Sequence, residues 1–62
     1  MEILNIKELS IYLKISISTI RRMIFKKEIP YFTLSNQYFF RKDTIDNWID
    51  NQIELNFQRK EI

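Results

Sequence analysis

The chain has 62 residues, 45% of them apolar, and its ten Lys and Arg against eight Asp and Glu give a formal charge of +2. At that length it forms one domain, burying roughly 60% of the surface its unfolded chain exposes. It has no cysteine, histidine or glycine. Disulfide staples, thiolate metal sites and the commonest general base are therefore excluded, and any position needing positive φ falls to Asn or to a residue under strain.

Asn5 followed three residues later by Glu8 has the form of a capping box. Ile6, Leu9, Ser10 and Leu13 then fall at helical spacing, which predicts a helix over about 6–13. Ser10 on the inner face leaves room for a second helix to approach, and Tyr12 flanks the stripe as a part-buried residue. Lys14-Ile15 reads as a turn. Ser16 is an N-cap, and a second helix is expected over about 17–26, with Ile20, Met23 and Ile24 inward. Pro30 stops it and holds Ile29 extended. Tyr31 to Leu34 and Tyr38 to Phe40 favour strand. Between them Ser35-Asn36-Gln37 forms a turn with Asn36 as the best candidate for positive φ, so the pair reads as a hairpin. Asp43 and Thr44 open a third helix, expected from about 42 to at least 53, on the repeat of Ile45, Trp48, Ile49 and Ile53. The order helix, helix, hairpin, helix predicts a mainly α fold with a small β-hairpin, a winged helix-turn-helix. The domain is expected over 1–54, with 55–62 as a C-terminal tail that either extends the helix or meets a partner.

Charge is distributed unevenly. Residues 1–20 are neutral, with Lys7 and Lys14 against Glu2 and Glu8. Residues 21–42 carry Arg21, Arg22, Lys26, Lys27, Arg41 and Lys42 against Glu28, a net +5. Residues 43–62 set Arg59 and Lys60 against Asp43, Asp46, Asp50, Glu54 and Glu61, a net −3. A basic middle and an acidic end suit a chain that lays its middle on phosphates, and equally describe two solvated faces. No apolar run approaches the ~20 residues of a membrane span, and no signal-peptide pattern is visible, so no membrane contact and a cytoplasmic location are expected. Nothing in the sequence has the form of an enzyme site, and no cofactor is implied. Asp43, Asp46 and Asp50 read as a solvated helix face, not a metal site, since no calcium-loop pattern surrounds them.

These stretches together resemble the small excisionase-type DNA-binding domains, related to the N-terminal domain of MerR-type regulators. The resemblance rests on Leu4-Asn5-Ile6-Lys7-Glu8-Leu9-Ser10, on Ile15-Ser16-Ile17-Ser18-Thr19-Ile20, on Lys27-Glu28-Ile29-Pro30 after an Arg-bearing helix, and on Ile45-Asp46-Asn47-Trp48-Ile49 after a wing. It covers about residues 3–50. The sequence departs from the pattern at Lys14 and Lys27, where the family favours Gly, at Ser10 in place of Ala, and at Asn36 in a wing commonly built from basic residues and Gly. The resemblance implies a non-enzymatic, sequence-specific binder of double-stranded DNA. Such proteins often serve mobile elements (phages, transposons, plasmids or genomic islands) as excisionases, bending DNA and directing an integrase or recombinase. A small transcriptional regulator, a replication or packaging factor, and a protein-interaction adaptor or inhibitor are the competing readings.

The candidate DNA contacts follow. Ser16 caps the second helix and turns its N-terminus toward a phosphate. Ser18 and Thr19 lie where helix-turn-helix proteins contact bases, though Thr19 serves equally to complete the cap. Ile17 either meets a thymine methyl or covers the core edge. Arg21 and Arg22 project about 100° apart, so one is expected on base edges and the other on phosphate, with their order open. Lys26 and Lys27 suit phosphate, and also the helix macrodipole without any ligand. Asn36 and Gln37 form the wing tip, and Arg41 and Lys42 follow it toward the DNA backbone. Phe25 is expected to pack between helix and wing, and Trp48 in the core. Leu55, Phe57 and Ile62 either close the core or bind a partner, a recombinase or a further copy of the chain.

Overall fold

The computed structural model describes residues 2–59. The chain turns from strand to helix at Asn5. The Asn5 side chain accepts from the Glu8 N–H at 2.7 Å, and the Glu8 carboxylate accepts from the Asn5 N–H at 2.9 Å, a closed capping box. This satisfies two backbone donors that would otherwise be orphaned at the helix start. Before it lies β1 (Ile3–Asn5) and after it α1 (Ile6–Leu13). Ser10 returns its hydroxyl to the Lys7 carbonyl at 2.7 Å, so the small residue facing the second helix carries no unmet donor.

α1 ends at Lys14 with φ 59° and ψ 42°, in the left-handed region. The Ile15 N–H reaches back to the Ser10 carbonyl at 3.1 Å, the six-to-one bond of a Schellman motif. α2 (Ile17–Phe25) follows after a two-residue turn, with Ser16 as its N-cap. It ends the same way: Lys27 has φ 57°, and the Glu28 N–H bonds the Met23 carbonyl at 2.8 Å. Both helices thus stop on lysines held in a conformation suited to glycine.

β2 (Phe32–Leu34) and β3 (Gln37–Arg41) form the hairpin. Leu34 pairs with Gln37, so only Ser35 and Asn36 make the loop. Their φ values of 51° and 63° are those of a type I′ turn, whose twist matches the strands. The hairpin is not alone: β1 pairs antiparallel with β3, with Leu4 opposite Phe40, giving a three-stranded sheet in the order β1-β3-β2. The local pattern around Ile3 and Leu4 does not predict that strand, because only the distant edge of β3 creates it. A pair of strands is marginal unaided, and β1 supplies the third.

α3 (Lys42–Arg59) runs 18 residues. One buried cluster ties the elements together: Leu4 from β1, Leu9 from α1, Ile20 and Ile24 from α2, Ile29 after it, Phe40 from β3 and Ile45 from α3. Ile6, Leu13, Ile15, Met23, Tyr31, Trp48 and Ile49 pack around it. Among the described residues the architecture is a winged helix-turn-helix of three helices and a small antiparallel sheet. Trp48 sits at the margin of the cluster, half-buried. Ile53, expected to continue the apolar stripe, is 61% exposed. α3 has left the body by then, and Leu55 and Phe57 beyond it are also exposed. The molecule is accordingly elongated, 45 × 25 × 19 Å. Ile62 lies outside the described residues. Among those residues, no helix is long and apolar enough to cross a membrane.

Candidate nucleic-acid interface

α2 is held at its start by hydroxyl groups. The Ser16 Oγ accepts from the Thr19 N–H at 3.1 Å and lies 2.7 Å from Thr19 Oγ1 and 3.1 Å from Ser18 Oγ. Thr19 is half-buried in this network, which completes the cap, while Ser18 and Ile17 stand more open. Arg21, Arg22, Lys26 and Lys27 are all exposed. Ile20 and Ile24 point into the core, so at about 100° per residue Arg22 and Lys26 project from the opposite side of α2 and Arg21 from its flank, while Lys27 follows the helix end.

The wing is stiffened from its base. Tyr31 and Tyr38 meet edge-on with ring centroids 5.4 Å apart, and Phe32 and Phe39, directly paired across the strands, lie at 6.0 Å. Such aromatic pairs add about 0.5–1.5 kcal/mol each beyond their burial. They fix where the exposed tip, Asn36 and Gln37, stands relative to α2.

The arrangement produces a groove of about 320 Å³ lined by Asn5, Ile6 and Lys7 from the start of α1, Arg21 from α2, and Asn36, Gln37 and Tyr38 from the wing. Three elements distant in sequence converge there. The lining carries two cations, two amides, a third amide in Asn5 and a phenol, and no carboxylate. Glu8, the nearest acid in sequence, is engaged in the capping box. A smaller adjoining hollow of about 170 Å³ is lined by Arg21, Ile24, Phe25 and Tyr38. Arg21 therefore faces the wing, whereas Arg22, about 100° further round, lines neither space.

Two of the candidate cations, Arg41 and Lys42, have partners elsewhere. Arg41 lies four residues along β3 from Gln37, about 13 Å from the tip. Its guanidinium pairs with the Asp43 carboxylate at 2.9 Å. Partial burial pushes the Asp43 carboxyl up, but the Thr44 N–H and the Arg41 charge outweigh it and hold the group below the usual carboxylate range. Lys42 is half-buried, with its ammonium 5.2 Å from the centre of the Tyr12 ring. The Tyr12 hydroxyl donates a short hydrogen bond to Asp46, and this bond, with some burial, raises the phenol above its ordinary value. Tyr12, Lys42 and Asp46 thus fasten α1 to α3, and neither Arg41 nor Lys42 lines the groove.

Phe25, expected to pack between helix and wing, is 86% exposed. It stands about 140° around α2 from Ile20, off the face that packs on the core. Lys7 carries no signal of a site in the sequence, because its segment has no net charge. Only the folded position of α1 brings it beside Arg21.

A family model described as a helix-turn-helix domain matches residues 3–53, more than half of the chain. No curated protein and no solved structure matches the chain.

Proposed function

The chain belongs to the helix-turn-helix domain family, whose members bind DNA, and we propose that it is a sequence-specific reader of double-stranded DNA acting as an accessory protein without catalysis. The observation that carries this reading is the groove between the start of α1, Arg21 of α2 and the wing tip, whose lining holds two cations, three amides and a phenol beside Ile6 and no carboxylate. In this reading α2 enters the major groove. Arg21 reaches a base edge, where a guanidinium can bond guanine through two N–H groups. Arg22, Lys7, Lys26 and Lys27 hold phosphates, and Asn36 and Gln37 touch the flanking backbone or minor groove. Ser16, Ile17, Ser18 and Thr19 border the contact at the helix start, and Arg41 and Lys42 lend positive potential beside the wing.

The finer assignment is an excisionase-like directionality factor of a mobile element, related to the DNA-binding domain of MerR-type regulators, working in the cytoplasm with an integrase or recombinase. A single module this small makes few phosphate contacts, so function rests on several copies bound side by side. A promoter-binding regulator with the same fold is the competing assignment. The exposed Ile53, Leu55 and Phe57 of α3 favour a protein contact in addition to the DNA contact.

Selection of binding sites from random duplex DNA, run with wild type and an Arg21→Ala/Arg22→Ala variant, tests the reading. Enrichment of one motif by the wild type alone is expected, and repeats of that motif indicate assembly in arrays. Enrichment of no motif, with only salt-sensitive background binding, refutes sequence-specific readout.

A further inference from the structure

Phe25 is the most exposed of the large apolar side chains among the described residues, at 86%. It is not a stray residue at a frayed end: it lines a hollow with Arg21, Ile24 and Tyr38. Around the α2 axis Phe25 projects about 40° from Arg21 and about 60° from Arg22, in the sector between them. From Ile17 to Lys27 the sequence holds four cations and no acid. The face that carries the ring is therefore built for a polyanion.

A phosphate backbone offers nothing to a bare aromatic ring. The apolar feature that a duplex does present to a major-groove helix is the thymine 5-methyl group, which aromatic and aliphatic side chains meet directly. We propose that Phe25 is a specificity-determining residue of the α2 face, packing its ring against the 5-methyl group of a thymine in the major groove. The inference rests on the DNA-binding reading above and names a base feature which that reading leaves open. Phe25 lies eight residues beyond Ile17, about 12 Å along the helix axis, equivalent to about three or four base pairs at 3.4 Å each. The thymine it reads is thus offset by that distance from the position met by the start of α2. Arg21 contacts a step between while Arg22 holds phosphate, so the motif holds a thymine at a set spacing from a guanine.

The test uses the duplex recovered by site selection and replaces each thymine in turn with deoxyuridine, which removes only the 5-methyl group. Binding is measured for wild type, Phe25→Ala and Phe25→Leu, after thermal unfolding has verified that all three fold. At one or two positions deoxyuridine is expected to weaken wild-type binding roughly fourfold, the equivalent of one buried methyl at about 0.8 kcal/mol. Phe25→Ala should bind the thymine duplex more weakly and be indifferent to deoxyuridine there, with Phe25→Leu retaining part of the discrimination. If a motif is selected but no position separates wild type from Phe25→Ala, the proposal is overturned while DNA reading stands. If Phe25→Ala instead lowers only the steepness of binding to tandem sites, the ring contacts a neighbouring copy and the thymine assignment is equally overturned. If no motif is selected at all, the DNA-binding reading has failed, and this inference with it.

Discussion

Replacing Lys14 and Lys27 by glycine should stabilise the protein. Both lysines hold left-handed backbone, at φ 59° and 57°, where an L-residue with a Cβ is disfavoured by about 1–2 kcal/mol. Glycine removes that strain but adds freedom to the unfolded chain, which opposes the gain by about 0.4–1 kcal/mol. The net is a gain of about 0.5–1 kcal/mol per site. The Schellman bonds, Ile15 N–H to Ser10 and Glu28 N–H to Met23, are backbone bonds and survive the change. For a chain whose total stability is roughly 3–9 kcal/mol, the double variant should gain about 1–2 kcal/mol. At about 4–8 °C per kcal/mol for a domain of this size, that raises Tm by roughly 4–16 °C. Thermal unfolding followed by circular dichroism measures it. Lys14→Ala and Lys27→Ala are the controls, since alanine keeps the Cβ and should give no gain. If the alanine variants match the glycine variants, or if glycine destabilises, the two helix ends are not strained as described.

Phe40 is fully buried at the centre of the cluster, so Phe40→Ala should lose about 3–5 kcal/mol. Tm should then fall by roughly 12–40 °C. In contrast, Leu55→Ser and Phe57→Ser, at positions 56% and 64% exposed, should change stability by no more than about 0.5 kcal/mol. A larger loss, with a Tm that depends on protein concentration, would reveal self-association through α3. Tyr12 has a raised phenol pKa in the folded state. Its bond to Asp46 therefore contributes fully below the ordinary tyrosine value of about 10 and is lost as pH rises through the raised value. Urea-unfolding midpoints should fall over that alkaline range in wild type and fall less in Tyr12→Phe. Asp43 has the opposite sign: its lowered carboxyl contributes above about pH 3.9, and that part disappears as pH drops through the folded value. Asp43→Asn should remove this portion of the acid response.

What could be read from sequence was what depends on near neighbours. The capping box at Asn5 and Glu8, the Ser16 cap, the inner stripes of α1 and α2 and the positive φ of Asn36 all rest on residues within a turn or two of one another. The winged order followed from them. Lys14 and Lys27 could be flagged because they stand where the resembled pattern has glycine, and both adopt the glycine conformation. Features set by distant parts of the chain were not legible. β1 exists only because β3 offers it an edge. Lys7 joins Arg21 only because α1 packs across α2. Phe25 projects about 140° around α2 from Ile20, off the inner stripe, and only the fold shows that the wing does not close over it. Ile53 continues the periodicity of Ile45 and Ile49 but runs past the end of the body they pack against. Periodicity records which face is apolar and not whether another element reaches it.

The most direct test of the account is a map of amide chemical-shift changes as the selected duplex is titrated into the isotopically labelled protein. The changes should concentrate on residues 5–7 at the start of α1, on 16–27 along α2 and on 35–38 at the wing tip, with the far half of α3 silent. Changes concentrated on residues 51–59 of α3, with α2 and the wing unmoved, would contradict it.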